Sequence, residues 1–567
     1  MLDKVIRVDM AGLTVKEEQL AEAYQRLSGR SLSSRIVFDE IPPYAEPLGP
    51  HNKLIVTCGL FAGSMVSSSG RLSIGAKSPL TGGIKESNAG GISAHKMGRL
   101  DIRAIVVEGI REDDKWFMLV INKDKAYLEE AGYLINKGTY EKAQLLYNKY
   151  GKKIGLALVG PAGEKRLLTA GITNNDPDGA PSRYNGRGGL GAVMGSKHLL
   201  AIVLDDAGCR VKGPVRKEEF KEKVKEFHQN LLSTPQTAEI FPKYGTAAML
   251  NVTNSLGALP TRNFSTGRFQ GAENINAERL YETIKSRGGE GSTTHSCMPG
   301  CIIRCSNVYP DRDGKTLVSP LEYETICLLG SNLDIDDLDA VAKMNYLCND
   351  YGVDTIEVGC AIGVAMEGGV IPFGDGKEAH ELMEEVVADT HLGRIIASGS
   401  VITGKVFGVR RVPSVKGQGM PGYEPRGLKG TAVTYATSPM GADHTAGNTP
   451  RANVKHHLKE GQVAVSRNAQ LGVTLVDALG LCMMVGPGLP DRAILADLIN
   501  ARFGWNLTLE DLEKICRDTL NLEKEFNSKA GFTKAHDRLP EHFYEEENPA
   551  TGTVFDLYEE DLSELVY

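Results

Sequence analysis

Hydrophobic positions change their period near residue 210. Before it, short runs rich in β-branched residues recur at residues 53–58, 102–108, 116–121 and 199–204, punctuated by glycine and serine clusters. Such runs predict strands. From Lys217 onward the period turns helical with charged faces, as in residues 218–227, 338–347 and 381–387. A connection rich in glycine and proline at residues 412–422 divides the helical part in two. The pattern predicts an α+β chain: a β-rich domain over 1–210, then two mostly helical domains over 211–411 and 412–567. No internal repeat stands out, and no low-complexity linker.

Composition narrows the class. A chain of 567 residues, 41% of them hydrophobic, can bury several cores. The net charge of -8 is made of interspersed acids and bases with no basic arm, which speaks against nucleic acid as a partner. The first residues are too charged for a secretory segment, and no apolar run approaches the ~18 residues that span a bilayer. The expectation is a soluble, cytoplasmic protein with no membrane span. Ten cysteines are too few for a disulfide scaffold in a chain this long, so clustered ones read as metal ligands.

Three cysteines do cluster. Cys297, Cys301 and Cys305 have the spacing C-x3-C-x3-C, and a fourth, Cys482, closes a distant hexad that begins at Asp477. Four thiolates complete the coordination of a [4Fe–4S] cluster. Zinc remains open, although its sites usually show two paired short spacings and only one group is present. Buried structural cysteines are the plain alternative, and three within nine residues argue against it.

Two glycine-rich segments suggest backbone close to a ligand. Residues 185–197 contain G-x-G-x-x-G at Gly186, Gly188 and Gly191. A dinucleotide site needs a strand immediately before the first glycine, and residues 175–182 read as a loop. Gly188 and Gly189 still leave free N–H groups for a phosphate, and Arg187 adds a forked donor. Residues 69–91 read equally as hairpin turns or as a cofactor cradle. Further on, Glu322 and Glu324 follow the cysteines, and Asp443 adjoins His444. Alone, these read as surface charges and a structural histidine.

Taken in order, these pieces resemble the tungsten-containing aldehyde:ferredoxin oxidoreductase family over nearly the whole chain. The resemblance rests on residues 77–82, 87–91, 186–197, the cysteine triad, 322–325, 352–356, 423–427, 435–438 and 477–482. It implies tungsten, or molybdenum, held by the dithiolenes of two pterins, a nearby [4Fe–4S] cluster, and magnesium bridging the pterin phosphates. The β-rich domain is then a saddle under both pterins. Arg71 would lie between cluster and pterin; Asn88, Gly90, Arg187, Gly188 and Gly189 would lie on the saddle. Two hexads would hold one pterin each: Asn349, Gly352 and Asp354 in the first, Asp477, Gly480 and Leu481 in the second, with Cys482 serving as the fourth cluster ligand. The implied reaction is aldehyde oxidation to a carboxylate. Glu324 would act as base, His444 as donor with Asp443 beside it, and Glu322 nearby. Implied partners are ferredoxin or an iron–sulfur polyferredoxin subunit, a small aldehyde or acyl substrate, and further copies in an oligomer.

Some residues depart from the family pattern. Many members have C-x2-C-x3-C, and the first hexad here begins with Asn349 in place of Asp. The last residues, 559–567, lack the aromatic tail common in the family. Cys327 follows the Glu324 segment; in the related tungsten benzoyl-CoA reductases a cysteine binds the metal. A low-potential reductase subunit is therefore the alternative on the same scaffold. A non-catalytic iron–sulfur electron-transfer protein is the alternative from another class.

Overall fold

A computed structural model describes residues 3–567. Twelve strands form two six-stranded sheets in the first 204 residues. The first sheet holds β1 (Lys4–Asp9), β2 (Thr14–Gln19), β3 (Leu54–Cys58), β4 (Leu72–Lys77), β5 (Ile84–Ala89) and β6 (Ile102–Glu108). The second holds β7 (Phe117–Ile121), β8 (Ala126–Glu130), β9 (Gly155–Leu158), β10 (Ile172–Asn175), β11 (Pro181–Asn185) and β12 (Leu199–Leu204). Their orders are β2-β1-β6-β3-β4-β5 and β8-β7-β12-β9-β10-β11. Adding six to each strand of the first gives the second. The pairing senses also repeat: β1 with β6 and β7 with β12 are the parallel pairs, and all others are antiparallel.

The β-rich domain is thus a tandem pair of half-domains, which overturns the expectation of no internal repeat. Helices recur in step as well: Gly29–Glu40 matches Thr139–Tyr150, and Ser93–Arg99 matches Leu190–Ser196. The surviving identities are sparse. Asn88 and Asn185, Met97 and Met194, Gly98 and Gly195, and Ala104-Ile105-Val106 and Ala201-Ile202-Val203 lie 97 positions apart (185 minus 88). Backbone packing preserves the glycines. A Cβ on Gly98 would collide with the carbonyl of Ala62, and one on Gly195 with that of Gly163.

The segment before Gly186 also differs from expectation, because β11 is a strand. Pro181 opens it at the edge of its sheet, where a missing N–H costs nothing. Because β11 runs antiparallel to β10 and is not adjacent to β12, the glycines do not join a parallel βαβ unit. A dinucleotide fold is absent for that reason.

Everything after residue 210 is mainly helical, apart from a three-stranded sheet over residues 292–318 and a two-stranded ribbon at 414–419. The chain is α+β as predicted. Among the described residues no helix is long and apolar enough to cross a membrane. Helices Gln462–Leu479 and Leu509–Lys529 return to pack on Gly29–Glu40. There Arg30 meets Glu523 through two hydrogen bonds of 2.9 and 2.7 Å, both side chains buried.

Candidate active site

Each half-domain grips the end of one helix from the later part of the chain. Helix Leu338–Tyr351 ends at Gly352 (φ 89°) and helix Gln462–Leu479 at Gly480 (φ 67°), both left-handed. The same closing hydrogen bonds follow, from Val353 N to Cys348 O at 2.9 Å and from Leu481 N to Val476 O at 2.8 Å. Gly160 packs directly on the Tyr351–Gly352 backbone and Gly59 on the Leu479–Gly480 backbone; a Cβ at either glycine would collide there. Asp354 N then donates to Thr169 O at 2.9 Å, and Cys482 N to Ser68 O at 2.8 Å. Thr139 Oγ1 donates to Asn349 O at 2.9 Å, as Ser28 Oγ does to Ala478 O at 2.5 Å. Both predicted hexads therefore sit on the saddle by one mechanism, repeated.

Their side chains differ. Asp477 accepts from Asn88 Nδ2 at 3.1 Å and lies 3.6 Å from Arg30. Burial, joined by the nearby Glu86, pushes its carboxyl well above the usual range despite Arg30 and Arg71. Asp354 caps helix Thr355–Glu367 and accepts from Arg187 Nε at 3.2 Å. Arg187 also donates to Ala442 O and Gly419 O at 2.8 and 2.6 Å, so it ties the saddle to the later chain. Gly188 (φ 80°) lets Lys85 pass beneath it, and Gly189 (φ 70°) opens helix Leu190–Ser196.

The three clustered cysteines lie between strands Ser292–His295 and Ser306–Pro310, opposite the second hexad. Cys297, Cys305 and Cys482 line one cavity of about 760 Å³; Cys301 is buried, with Ser68 Oγ 3.5 Å from its sulfur. Burial pushes the Cys297 thiol up to about 12, with Cys301 and Cys482 near enough to add to the rise and Arg183 and Arg71 near enough to oppose it. Among the described residues no three His, Cys, Asp or Glu side chains converge as they would on a single ion. Four mutually close but unconverged thiols suit a cluster better than zinc. Gly90 fits under this group: a Cβ there would lie 3.1 Å from Cys297 Sγ. Arg71 donates to Asn88 Oδ1 and O at 2.6 and 2.8 Å and lines the same cavity.

Glu324 and His444 line that cavity too. Glu324 lies in the first turn of helix Tyr323–Leu328, and its Oε2 accepts from Gly422 N at 2.6 Å. Its Oε1 is buried, 3.4 Å from His444 Nε2 and without a hydrogen bond. Burial raises its pKa, with His444 partly offsetting the rise. His444 Nδ1 stands 4.0 Å from Asp443, too far to be held by it. Asp443 instead accepts from Lys85 Nζ at 2.6 Å; burial favours its neutral form, but Lys85, Arg187 and His444 outweigh that and hold it well below the usual carboxylate range. Glu322, also on the wall, accepts from Thr246 Oγ1. Cys327 is not on the wall. Its sulfur packs under Gly422 in the core, 3.6 Å from Ser331 Oγ.

Several polar atoms have no protein partner although they are buried: Asn174 Oδ1 on β10, Ser182 Oγ and Arg183 Nε on β11, and Asn349 Nδ2 in the first hexad. Each such atom costs roughly 1–3 kcal/mol unless something satisfies it. Ser182 and Arg183 line the cavity beside the thiols, where their unpartnered atoms fit a resident polar group. Arg183 and Ser182 escaped the sequence reading. The 97-residue repeat, which aligns Asn185 with Asn88, is the signal that marks their strand.

Known proteins agree with this architecture. The family profile for the N-terminal domain of aldehyde ferredoxin oxidoreductase matches residues 5–206, and that for its domains 2 and 3 matches residues 222–566. A tungsten-containing aldehyde ferredoxin oxidoreductase of Thermococcus kodakarensis is 34% identical, over 98% of this chain and 94% of its own. The WOR-like subunit of a Pyrococcus furiosus aliphatic sulfonate oxidoreductase is 25% identical over 78% of this chain and 74% of its own. In fold, the chain superposes on the BamBC active-site complex of benzoyl coenzyme A reductase with a TM-score of 0.82 at 19% identity, covering 100% of this chain and 93% of that one.

Proposed function

The chain belongs to the aldehyde ferredoxin oxidoreductase family, and from that premise we propose that it is a tungsten enzyme oxidising an aldehyde to a carboxylic acid, with ferredoxin as the electron acceptor. The observation that carries this reading is the unpartnered Glu324 Oε1, facing His444 in a cavity walled by three of the four clustered cysteines. Cys297, Cys301, Cys305 and Cys482 would hold the cluster. Asp477 with Asn88, and Asn349 with Asp354, would each face one pterin, with Arg71 and Gly90 on the cluster side. When bound, the tungsten group supplies a two-electron acceptor beside a one-electron relay. Magnesium finds no converging carboxylates among the described residues, so phosphates and water would hold it.

The chain's own groups manage protons and geometry. Glu324 Oε1 accepts a proton from the attacking water, and burial raises its pKa, which makes it a stronger base than an ordinary carboxylate. His444, with its proton on Nε2, donates to the carbonyl oxygen. Tyr423, whose ring lies 5.8 Å from that of His444, walls the reacting end. Cys327, the residue that suggested the reductase alternative, lies in the core under Gly422; the fold itself fits a low-potential reductase subunit as well.

Glu324→Gln tests the reading. The variant should keep tungsten and iron but lose roughly 10²–10⁴ of kcat. In the unsubstituted enzyme, activity should rise with pH through a value above the ordinary carboxylate range, because only the ionised base works. Stability has the opposite sign: a carboxyl with a raised folded pKa stabilises at low pH and loses that contribution as pH rises through the folded value. Full activity in the Gln variant would remove Glu324 as base.

A further inference from the structure

Two consecutive residues hold the same glycine. Glu324 Oε2 accepts from Gly422 N at 2.6 Å, and the hydroxyl of Tyr323 donates to Gly422 O. Both residues belong to the first turn of helix Tyr323–Leu328. Neighbouring side chains on a helix diverge by roughly 100°, so this pair can close on a chain that crosses between them. One turn of one helix thus takes both polar groups of Gly422. The next residue, Tyr423, donates its N–H to Pro421 O at 2.7 Å, which curls the chain around the glycine.

The fit at that crossing is close. A Cβ at residue 422 would lie 3.1 Å from Glu324 Oε2 and 3.0 Å from Cys327 Sγ, so Cys327 serves as the floor that keeps the glycine against the carboxylate. Tyr323 is itself fixed. Its N–H donates to Thr246 Oγ1 at 3.0 Å, its hydroxyl lies 3.0 Å from Thr253 Oγ1, and its ring packs 5.3 Å from that of Tyr423. The side chain is buried. Burial, with Cys327, Tyr423 and Glu324 nearby, lifts its pKa far above the ordinary phenol value, so the hydroxyl keeps its proton and remains a donor.

We propose that Tyr323 is a positioning residue for the base: with Glu324 it grips Gly422 from both ends, which commits Oε2 to anchoring and leaves Oε1 to take the proton. The inference rests on Glu324 as the base of the proposed reaction and adds what sets its strength. Burial raises the Glu324 pKa; His444, the Gly422 N–H and Arg187 offset the rise, and Asp443 adds to it. Tyr423, Tyr435 and Cys327 also face the carboxylate, and burial keeps their protons in place. An N–H held against a carboxylate favours its ionised form. Released by Tyr323, Gly422 no longer presents its N–H squarely, and Oε2 loses a charge-assisted bond.

The test is the pH profile of Tyr323→Phe, which keeps the ring and removes the hydroxyl, measured on holoenzyme with a dye acceptor. The rising limb of kcat/KM should move to higher pH by roughly one unit, while KM and the plateau at high pH stay near those of the unsubstituted enzyme. A tyrosine that serves packing alone would lower the plateau and leave the limb where it is, and that result overturns the proposal. Infrared titration of the holoenzyme without substrate reads the same group directly. The protonated-carboxyl band that is missing from Glu324→Gln should titrate at higher pH in Tyr323→Phe, and an unmoved band overturns the proposal. This second measurement decides the matter even if the enzyme proves to oxidise no aldehyde. Loss of tungsten from Tyr323→Phe would make the tyrosine a cofactor support and overturn it as well. Should that variant not fold, Gly422→Ala, whose methyl crowds Oε2, should show the same upward shift; a profile and a band both unmoved there overturn the proposal.

Discussion

The two halves of the saddle share one backbone plan and carry different side chains on it. Around residues 349–354, Gly160 seats the hexad, Asp354 caps the next helix and Arg187 ties it to the loops over the cavity. Around residues 477–482, Gly59 seats the hexad in the same way, but Asp477 crowds against Glu86 and Arg30, and the hexad ends in Cys482. The grip is symmetric and the chemistry is not. The two seats are alike, and only one of their hexads ends in a thiol, which lines the cavity with Cys297 and Cys305. On the proposed reading, electrons leaving the site would have a built-in direction, toward the half that holds residue 482.

Metal content should separate the halves most sharply. Cys482→Ser is expected to lose most of its iron and to disturb tungsten as well, whereas Asp354→Asn should keep its iron and lose tungsten only. Elemental analysis of both variants reads this; a normal cluster in Cys482→Ser would dissolve the asymmetry. Next in size is stability. Glu523→Ala removes the carboxylate hydrogen-bonded to buried Arg30, in the half that seats residues 477–482, and leaves it only Asp477 at 3.6 Å, at an expected cost of up to ~3–5 kcal/mol, read as a fall in melting temperature. An unchanged melting temperature would show that this half does not rely on the pair. The smallest effect tests the shared plan. Gly59→Ala and Gly160→Ala should each destabilise by roughly 1–3 kcal/mol, and by similar amounts. A large difference in denaturant midpoint would mean that the two seats are not equivalent.

Parts of this arrangement were readable from the chain. The runs at 53–58, 102–108, 116–121 and 199–204 became β3, β6, β7 and β12, which are buried on both faces and so read as unbroken apolar runs. The edge strand β2 was invisible because Thr14–Gln19 is exposed and charged. β5 was invisible for the opposite reason: Lys85, Glu86 and Asn88 serve the site beneath other residues, so its polarity hid a mostly buried strand. In the site, Cys297, Cys305, Cys482, Glu324 and His444 line one cavity, and Cys301 is buried. Arg183 did not stand out, since whether a guanidinium N–H keeps a partner is decided only by the fold. The repeat was missed because backbone contacts at glycine preserve it and side-chain identity hardly does.

The order in which the chain is made gives the paired seats a further meaning. Domains fold as they emerge from the ribosome, N-terminal parts first. Both seats, at Gly59 and Gly160, are complete before residue 210, but their occupants arrive at different times. Residues 349–354 can close one half while residues 477–482 and Glu523, which clamps Arg30, are still being synthesised. The thiol-bearing half is then the last whose occupant is synthesised.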